Sequence, residues 1–267
     1  MSQCILYSTD LFASYVYLLF NAMLCHGVSP TSFLKATMIP IVKNKRGDCQ
    51  NSDNYRAIAL SNLLGKIFDR LILQIQKIPL QMSDLQFGYK AHSSTMMCTS
   101  ILLETIQFYT SNKSQVYALF IDASKAFDRV CHEKLFNILL SRDMCPSILR
   151  LLYVMYRNSS MCVRWGDAVS QSFSVQNGVK QGGVLSPVLY NIYTDNLLEK
   201  LKKSGFGCHI KGEFSGALAY ADDLVLLCPT LYGLKSMISI CEQYATDFDI
   251  AFNPKKSKLM CYNVKKS

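Results

Sequence analysis

Short apolar runs along the chain alternate with longer stretches in which apolar residues recur at helical spacing. The run Val116–Ile121 is rich in β-branched and aromatic residues, so it predicts a buried strand. Residues 35–42 and 55–60 predict two further strands, while the spacing over 63–76 and 234–248 predicts helices. Because both element types recur along the chain, the pattern is that of an α+β protein.

Two acids, Asp222 and Asp223, lie side by side between the apolar segments 217–219 and 224–227. An unpaired buried charge is strongly disfavoured, so adjacent carboxylates in such a setting usually indicate a cation or an ionic partner. The apolar segments predict the two strands of a tight hairpin with both acids at its turn. Carboxylate oxygens suit Mg²⁺ better than zinc or copper, so the pattern indicates a candidate magnesium site.

A third acid, Asp122, directly follows the strand predicted at Val116–Ile121, and the residues after it continue at helical spacing. A carboxylate at the end of a buried strand can point into a cleft. Together with Asp222 and Asp223 it would complete the acidic triad of a two-metal phosphoryl-transfer site. The alternative is that Asp122 only caps the following helix, and the residues alone leave both interpretations open.

A glycine-rich segment, residues 178–183, precedes Ser186-Pro187, a pair typical of a helix start because serine caps and proline fits the first turn. Glycine lacks a Cβ, so this backbone can approach a ligand closely. The alternative is a simple loop-to-helix turn without a binding role.

Charge and composition are compatible with a polyanionic partner. The chain has 267 residues, a net charge of +9 and a pI of about 8.9. Basic residues cluster near 43–46, 200–203 and 255–266. An acidic floor between basic walls is what a site holding both phosphates and Mg²⁺ requires.

Cysteine usage and hydropathy predict an intracellular protein, nuclear or cytoplasmic. The eleven cysteines form no Cys-x-x-Cys pair, so we expect reduced core cysteines rather than a zinc site or a disulfide framework. No signal peptide is expected. The apolar stretch 11–28 is interrupted by Ser14, Asn21 and His26, which favours a buried helix over a membrane span.

The ordered set of motifs in this chain resembles the reverse transcriptases of non-LTR (LINE-type) retrotransposons. These motifs are 39–43 (IPIVK), 54–60 (NYRAIAL), 86–89 (QFGY), 120–128 (FIDASKAFD), 181–187 (QGGVLSP), 220–223 (YADD) and 253–258 (NPKKSK). They occur in the family's order over nearly the whole chain.

The resemblance implies a right-hand polymerase with fingers and palm, in which an antiparallel palm sheet packs on helices. It places the N-terminal helices and fingers in residues 1–115 and the palm in 116–267. The chain stops just beyond the late-palm motif, so we expect the family's helical thumb to be absent and the grip on template and primer to be weak. Whether a longer parent protein carries a thumb or an endonuclease is left open.

The resemblance also implies roles for individual residues. Asp122, Asp222 and Asp223 would hold two Mg²⁺ ions, with Mn²⁺ as a possible substitute. The residues implied to bind the nucleotide are Lys43, Arg56, Phe127, Gln181, Gly182 and Lys256. A ring at Phe127 would clash with a ribose 2′-hydroxyl, although Phe127 also suits a helix core. Lys256 is implied to protonate the leaving pyrophosphate, but a solvated charge run is the commoner explanation of three neighbouring lysines.

The resulting hypothesis is an RNA-directed DNA polymerase that uses an RNA template, a DNA primer and dNTPs. The first alternative is a truncated or domesticated, catalytically weak relative that binds nucleic acid. The second is an RNA-directed RNA polymerase, against which Phe127 argues, and the third is an α+β protein with chance motifs.

Overall fold

The computed structural model describes residues 10–77 and 80–263. Two compact units emerge from its contacts, and each combines two chain segments. The first contains residues up to Leu80 together with His132–Ser186, and the second contains Gln81–Cys131 together with the chain from Pro187 onward. The units are interleaved in sequence, and the assignment of residues 1–115 to fingers and 116–267 to palm stays a prediction.

Helices and strands both contribute to the described residues, as an α+β fold requires. The helices are α1 Asp10–His26, α2 Thr31–Leu34, α3 Leu63–Ile75, α4 Thr95–Ser111, α5 His132–Ser141, α6 Pro146–Arg157, α7 Ser186–Lys203 and α8 Leu231–Asp247. The strands are β1 Lys35–Val42, β2 Tyr55–Leu60, β3 Val116–Ile121, β4 Ser160–Trp165, β5 Ala168–Val169, β6 Phe173–Ser174, β7 His209–Ile210, β8 Glu213–Phe214, β9 Ala217–Tyr220, β10 Asp223–Cys228 and β11 Lys258–Tyr262.

The first unit is built on a sheet of strand order β2-β1-β4-β5, with β6 also paired to β4. Strands β1 and β2 form an antiparallel hairpin, while β4 runs parallel to β1. Side-chain and backbone bonds fix the loop between β1 and β2. Within it, Lys43 N–H donates to the Asn54 carbonyl over 2.7 Å, and Asn44 N–H donates to Asn54 Oδ1 over 3.0 Å.

The second unit is built on an antiparallel sheet of order β11-β3-β10-β9, as expected for the palm. Alternate residues of β3, β9 and β10 pack on opposite faces. Val116, Ala118 and Leu218 lie with residues of α4, whereas Ala219 and Leu226 lie with residues of α7 and α8. At β3, β9 and β10 the sheet is therefore buried on both faces, which explains why these three strands are continuous apolar runs in the sequence, whereas the edge strand β11 is largely exposed.

Helix α1 forms where the sequence predicts it, but the expectation that it is buried is wrong. Only Phe20 and Met23 are buried along it, and Leu18 is 61% exposed. Phe20 packs edge-on against Phe68 of α3, and the Arg150 guanidinium donates to the last carbonyls of the helix. None of the described helices combines the length and apolarity that a membrane crossing requires.

The cysteines follow the expectation only in part. All ten within the described ranges are free thiols, but only Cys208, Cys228 and Cys241 are buried. Cys25 and Cys49 are exposed, as is Cys261, because they lie at a helix end, in a loop and on an edge strand.

Candidate active site

The two adjacent acids lie at the turn of the β9–β10 hairpin, as predicted. Tyr220 and Asp223 form the last pair of the ladder, so Ala221 and Asp222 make a two-residue turn. Ala221 has a φ of +56°, a left-handed conformation that is uncommon outside glycine. The turn thus places two carboxylates at the end of a sheet whose flanking strands are buried.

The third acid meets this turn because of strand register. Ile121, the last residue of β3, pairs with Leu224 of β10, so the next residues along each strand are Asp122 and Asp223. The Asp122 backbone is held by Asn253, whose N–H donates to its carbonyl over 2.8 Å, and by Ser257 Oγ, which accepts its N–H over 3.3 Å. The sheet therefore brings the three predicted acids to one end.

Asp122 does not cap a helix, so that alternative interpretation is wrong. A loop and a single 3₁₀ turn, Ala126–Arg129, separate it from α5, and the residue at the N-cap of this turn is Lys125. The helix predicted after Asp122 does form, but it begins later than expected, at His132 of α5. Lys125 has a φ of +50°, which interrupts the helical geometry that the apolar spacing suggested.

The charges of the three acids act on one another. Burial, and then repulsion from Asp222 and Asp122, raise the pKa of Asp223 above its usual value. Lys256 supplies an opposing charge, with its Nζ 3.8 Å from Asp122 Oδ2. This pair is exposed on the lysine side, so it offsets little of the repulsion.

An aromatic stack lies beside the acids. The Phe127 ring stacks on Tyr190 of α7, with centroids 5.0 Å apart and an interplanar angle of 18°. Tyr190 is 3% exposed, and it lines the same cavity as Asp222 and Asp223. Burial and these two charges raise its pKa above the usual tyrosine value. Phe127 is only half-buried, so it is not simply a core residue.

Sequence reasoning missed Tyr190, because a tyrosine in a largely apolar helix usually indicates core packing. Its position beside the turn that carries Asp222 depends on how α7 packs, which no local pattern in the sequence shows.

The three carboxylates fit a hard divalent cation by the chemistry of their donors, since they offer oxygen ligands only and their mutual repulsion would be relieved by a bound cation. They are neighbours rather than a finished cage. Within residues 10–77 and 80–263, no three His, Cys, Asp or Glu side chains converge closely enough to hold a metal as they stand.

The other predicted nucleotide contacts, apart from Lys256 and Phe127, belong to the first unit. Lys43 and Arg56 are exposed at the same end of the β1–β2 hairpin, where Arg56 pairs with Ile41. The Lys43 ammonium donates to the Asp53 carbonyl over 2.8 Å. The Gln181 carbonyl accepts the Ala59 N–H over 2.7 Å, which attaches the glycine-rich loop to β2.

The backbone at position 182 requires glycine, because its φ is +99°. An added Cβ would lie 3.2 Å from the Ala59 carbonyl oxygen, so a side chain would both strain the loop and press on β2.

A half-buried charge pair holds the far end of the same loop. The Asp69 carboxylate accepts the backbone N–H groups of Leu185 and Val184. Burial raises its pKa to about 6, against the opposing charge of Lys180, while burial lowers the pKa of Lys180. Sequence reasoning missed Asp69, because one acid in an amphipathic helix is usually a surface residue.

Comparison with known proteins identifies the class. The family model described as reverse transcriptase (RNA-dependent DNA polymerase) matches residues 42–266. The chain belongs to this family.

Its relatives include enzymes of retrotransposons, which confirms the expected resemblance. A Pol polyprotein from the type-1 retrotransposable element R2 of Popillia japonica is 28% identical over 235 residues, covering 87% of this chain and 32% of that protein. The RNA-directed DNA polymerase from mobile element jockey of Drosophila funebris is 26% identical over 264 residues, covering 94% and 27%. The chain thus spans about a third or less of these relatives.

Solved structures confirm the polymerase fold. Telomerase from Candida tropicalis, in complex with a fragment of telomeric RNA, aligns with a TM-score of 0.61 at 14% identity, covering 86% of this chain and 41% of that one. At this identity the likeness concerns the fold alone.

Replacement of Asp69 with asparagine should change how stability depends on pH. Because the folded pKa of Asp69 is about 6 and its ordinary value is 3.8, the folded state binds more protons between these values. Its contribution to stability is therefore lost as pH rises from about 4 to about 6. Relative to the wild type, Asp69→Asn should gain about 1–3 kcal/mol of unfolding free energy between pH 4 and pH 7.

Urea unfolding at both pH values measures this difference. Asp48→Asn is the matched control, because Asp48 is an exposed acid of the same unit whose Oδ1 accepts a backbone N–H that asparagine can also accept. Equal pH dependence of Asp69→Asn and wild type would contradict the assignment.

Proposed function

We propose that this chain carries the catalytic core of an RNA-directed DNA polymerase, which extends a DNA primer on an RNA template. The observation that carries the proposal is the meeting of Asp122 with Asp222 and Asp223 at one end of the antiparallel sheet, in a member of the reverse transcriptase family. The reaction adds dNTPs to the primer 3′-hydroxyl and releases pyrophosphate.

Asp122, Asp222 and Asp223 would hold two Mg²⁺ ions, for which Mn²⁺ can substitute. Bound there, such ions supply charge stabilisation to the attacking and leaving oxygens of an in-line transfer. The protein's own contribution is to keep the carboxylates at the end of a rigid sheet. Burial, and then repulsion from Asp222 and Asp122, raise the pKa of Asp223, and the repulsion supports this role because a bound cation would relieve it.

Phe127 would select deoxynucleotides. Its ring is backed by the buried Tyr190, so it has little freedom to move away from a ribose 2′-hydroxyl. Its half-buried position leaves part of the ring able to contact a ligand.

The remaining nucleotide contacts keep the roles that the resemblance implies. Lys43 and Arg56 would bind the triphosphate, which their exposure and shared end of a hairpin support. Gln181 and Gly182 would lie along the nascent base pair. Lys256 would donate a proton to pyrophosphate. Its Nζ lies 3.8 Å from Asp122 Oδ2, which supports this role over that of a solvated lysine without a part in the site.

A second candidate function is nucleic-acid binding with little catalysis. It is compatible with the net charge of +9 and with carboxylates that do not form a finished three-ligand cage among the described residues.

Primer extension with an RNA template, a DNA primer, dNTPs and Mg²⁺ tests the leading proposal. Asp122→Ala and Asp222→Ala should each lower the extension rate by about 100-fold or more, because loss of a metal ligand removes several kcal/mol of transition-state stabilisation. Asp247→Ala is the matched control, since it removes an exposed helical carboxylate of the same unit.

Extension by the Asp122→Ala/Asp222→Ala double variant would contradict the assignment. Tight RNA binding by a wild type that does not extend a primer would favour the second candidate.

Phe127→Ala should raise ribonucleotide incorporation relative to deoxynucleotide incorporation by roughly 10-fold or more, because the ring no longer clashes with the 2′-hydroxyl. Competing ribonucleotides and deoxynucleotides in the same extension reaction give the ratio directly. Phe127→Tyr keeps a ring of the same width and should keep the wild-type ratio. An unchanged ratio in Phe127→Ala would leave Phe127 as a packing partner of Tyr190 only.

A further inference from the structure

A short segment just before α4 pairs with β9, the outer strand of the hairpin that carries Asp222 and Asp223. Gln86 forms a parallel bridge with Ala219 of β9. Phe87 N–H donates to the Ala219 carbonyl over 2.9 Å, and Ala219 N–H donates to the Leu85 carbonyl over 2.8 Å. Residues 86–88 of this segment belong to the QFGY motif (86–89), for which the sequence alone indicates no role.

The side chain of Gln86 bonds to both sides of the turn residue Ala221. Its Oε1 accepts the Ala221 N–H over 2.9 Å, and its Nε2 donates to the Ala221 carbonyl over 3.3 Å. The same Oε1 accepts the Gly88 N–H over 2.8 Å. Gln86 is 1% exposed, so no water competes strongly for these bonds.

These bonds act where the turn is strained. Ala221 has a φ of +56°, whereas the first position of such a two-residue hairpin turn is usually glycine. An alanine left to itself prefers a negative φ, and a change there would rotate the peptide that leads into Asp222. The Gln86 amide opposes that change from both ends of the residue.

Gly88 and Asn191 fix Gln86 in turn. A Cβ on Gly88 would lie 2.3 Å from the Ala221 nitrogen, so only glycine allows the two segments to approach this closely. The buried Asn191 of α7 donates from Nδ2 to the Gly88 carbonyl over 2.7 Å. A continuous set of buried polar contacts therefore leads from α7 through Gly88 and Gln86 to the acidic turn.

We propose that Gln86 is a positioning residue, which holds the β9–β10 turn in its strained form and so orients Asp222 and Asp223 toward a divalent cation. The inference rests on the proposed function of this turn as a metal site. It assigns to the QFGY motif the task of shaping that site without contacting the ion.

Mn²⁺ binding by the full chain, followed by electron paramagnetic resonance, tests the inference without requiring polymerase activity. Gln86→Met keeps the volume and removes all three bonds. We expect it to raise the Kd for Mn²⁺ by roughly 10–100-fold, the usual effect of losing a group that orients a ligand. Circular dichroism at the assay temperature verifies that the variant is folded. An unchanged Kd would overturn the proposal.

The second variant is Gln86→Met in an Ala221→Gly background. Glycine adopts the positive φ without strain, so the hairpin should hold this turn by itself. The Kd of this double variant should lie within about threefold of that of Ala221→Gly alone, whether or not Gln86→Met folds by itself. A difference of tenfold or more in this background would show that Gln86 acts elsewhere than on the turn, which also overturns the proposal.

Two further variants separate this inference from the proposed function. Gln76→Met removes a glutamine of the first unit whose Oε1 accepts the Cys145 N–H over 3.0 Å, and it should leave the Kd unchanged. Asp222→Ala should abolish tight Mn²⁺ binding. If Asp222→Ala binds like the wild type, the metal site itself is refuted and the inference with it. If Asp222→Ala weakens binding and Gln86→Met does not, only the role of Gln86 is refuted.

Discussion

Mutual repulsion among three carboxylates is the constraint on which the candidate site depends. The pairing of Ile121 with Leu224 leaves Asp122 and Asp223 as the next residues on adjacent strands, with Asp222 one residue away in the turn. The apolar contacts on both faces of the sheet hold this register, because a slip by one residue would turn every buried side chain to the other face. The core thus stabilises an arrangement of charges that is unfavourable by itself.

Hydrogen bonds to the backbone around the acids limit the movement of the acids. Asn253 and Ser257 fix the backbone of Asp122, and Gln86 bonds to the backbone of Ala221. Neither set of bonds touches a carboxylate oxygen, so the oxygens keep their capacity to bind a ligand. A site whose carboxylates are oriented through their backbone can be rigid while the carboxylate oxygens stay available to a ligand.

Sequence reasoning located the strands and the acids because both follow from local rules. A strand buried on both faces is a continuous apolar run, and acids that interrupt such runs at Asp122 and Asp222 are conspicuous. Sequence reasoning failed where contacts between residues distant in the sequence determine the local structure. The helix expected after Asp122 is interrupted at Lys125, and helix α1 is largely exposed although its composition suggests a core. The interactions of Gln86 and Asp69 also depend on distant residues, so no local pattern could assign them.

The open arrangement of the acids is what a site completed by its substrate requires. Mg²⁺ in phosphoryl-transfer sites is usually bound by one or two carboxylates together with substrate phosphates and water, rather than by a cage made of protein alone. Three neighbouring carboxylates that do not converge into such a cage agree with this mode of binding. A closed cage of protein ligands would leave no coordination position for a triphosphate or a primer hydroxyl. The same openness therefore does not by itself favour a protein that only binds nucleic acid, since a polymerase needs it as well.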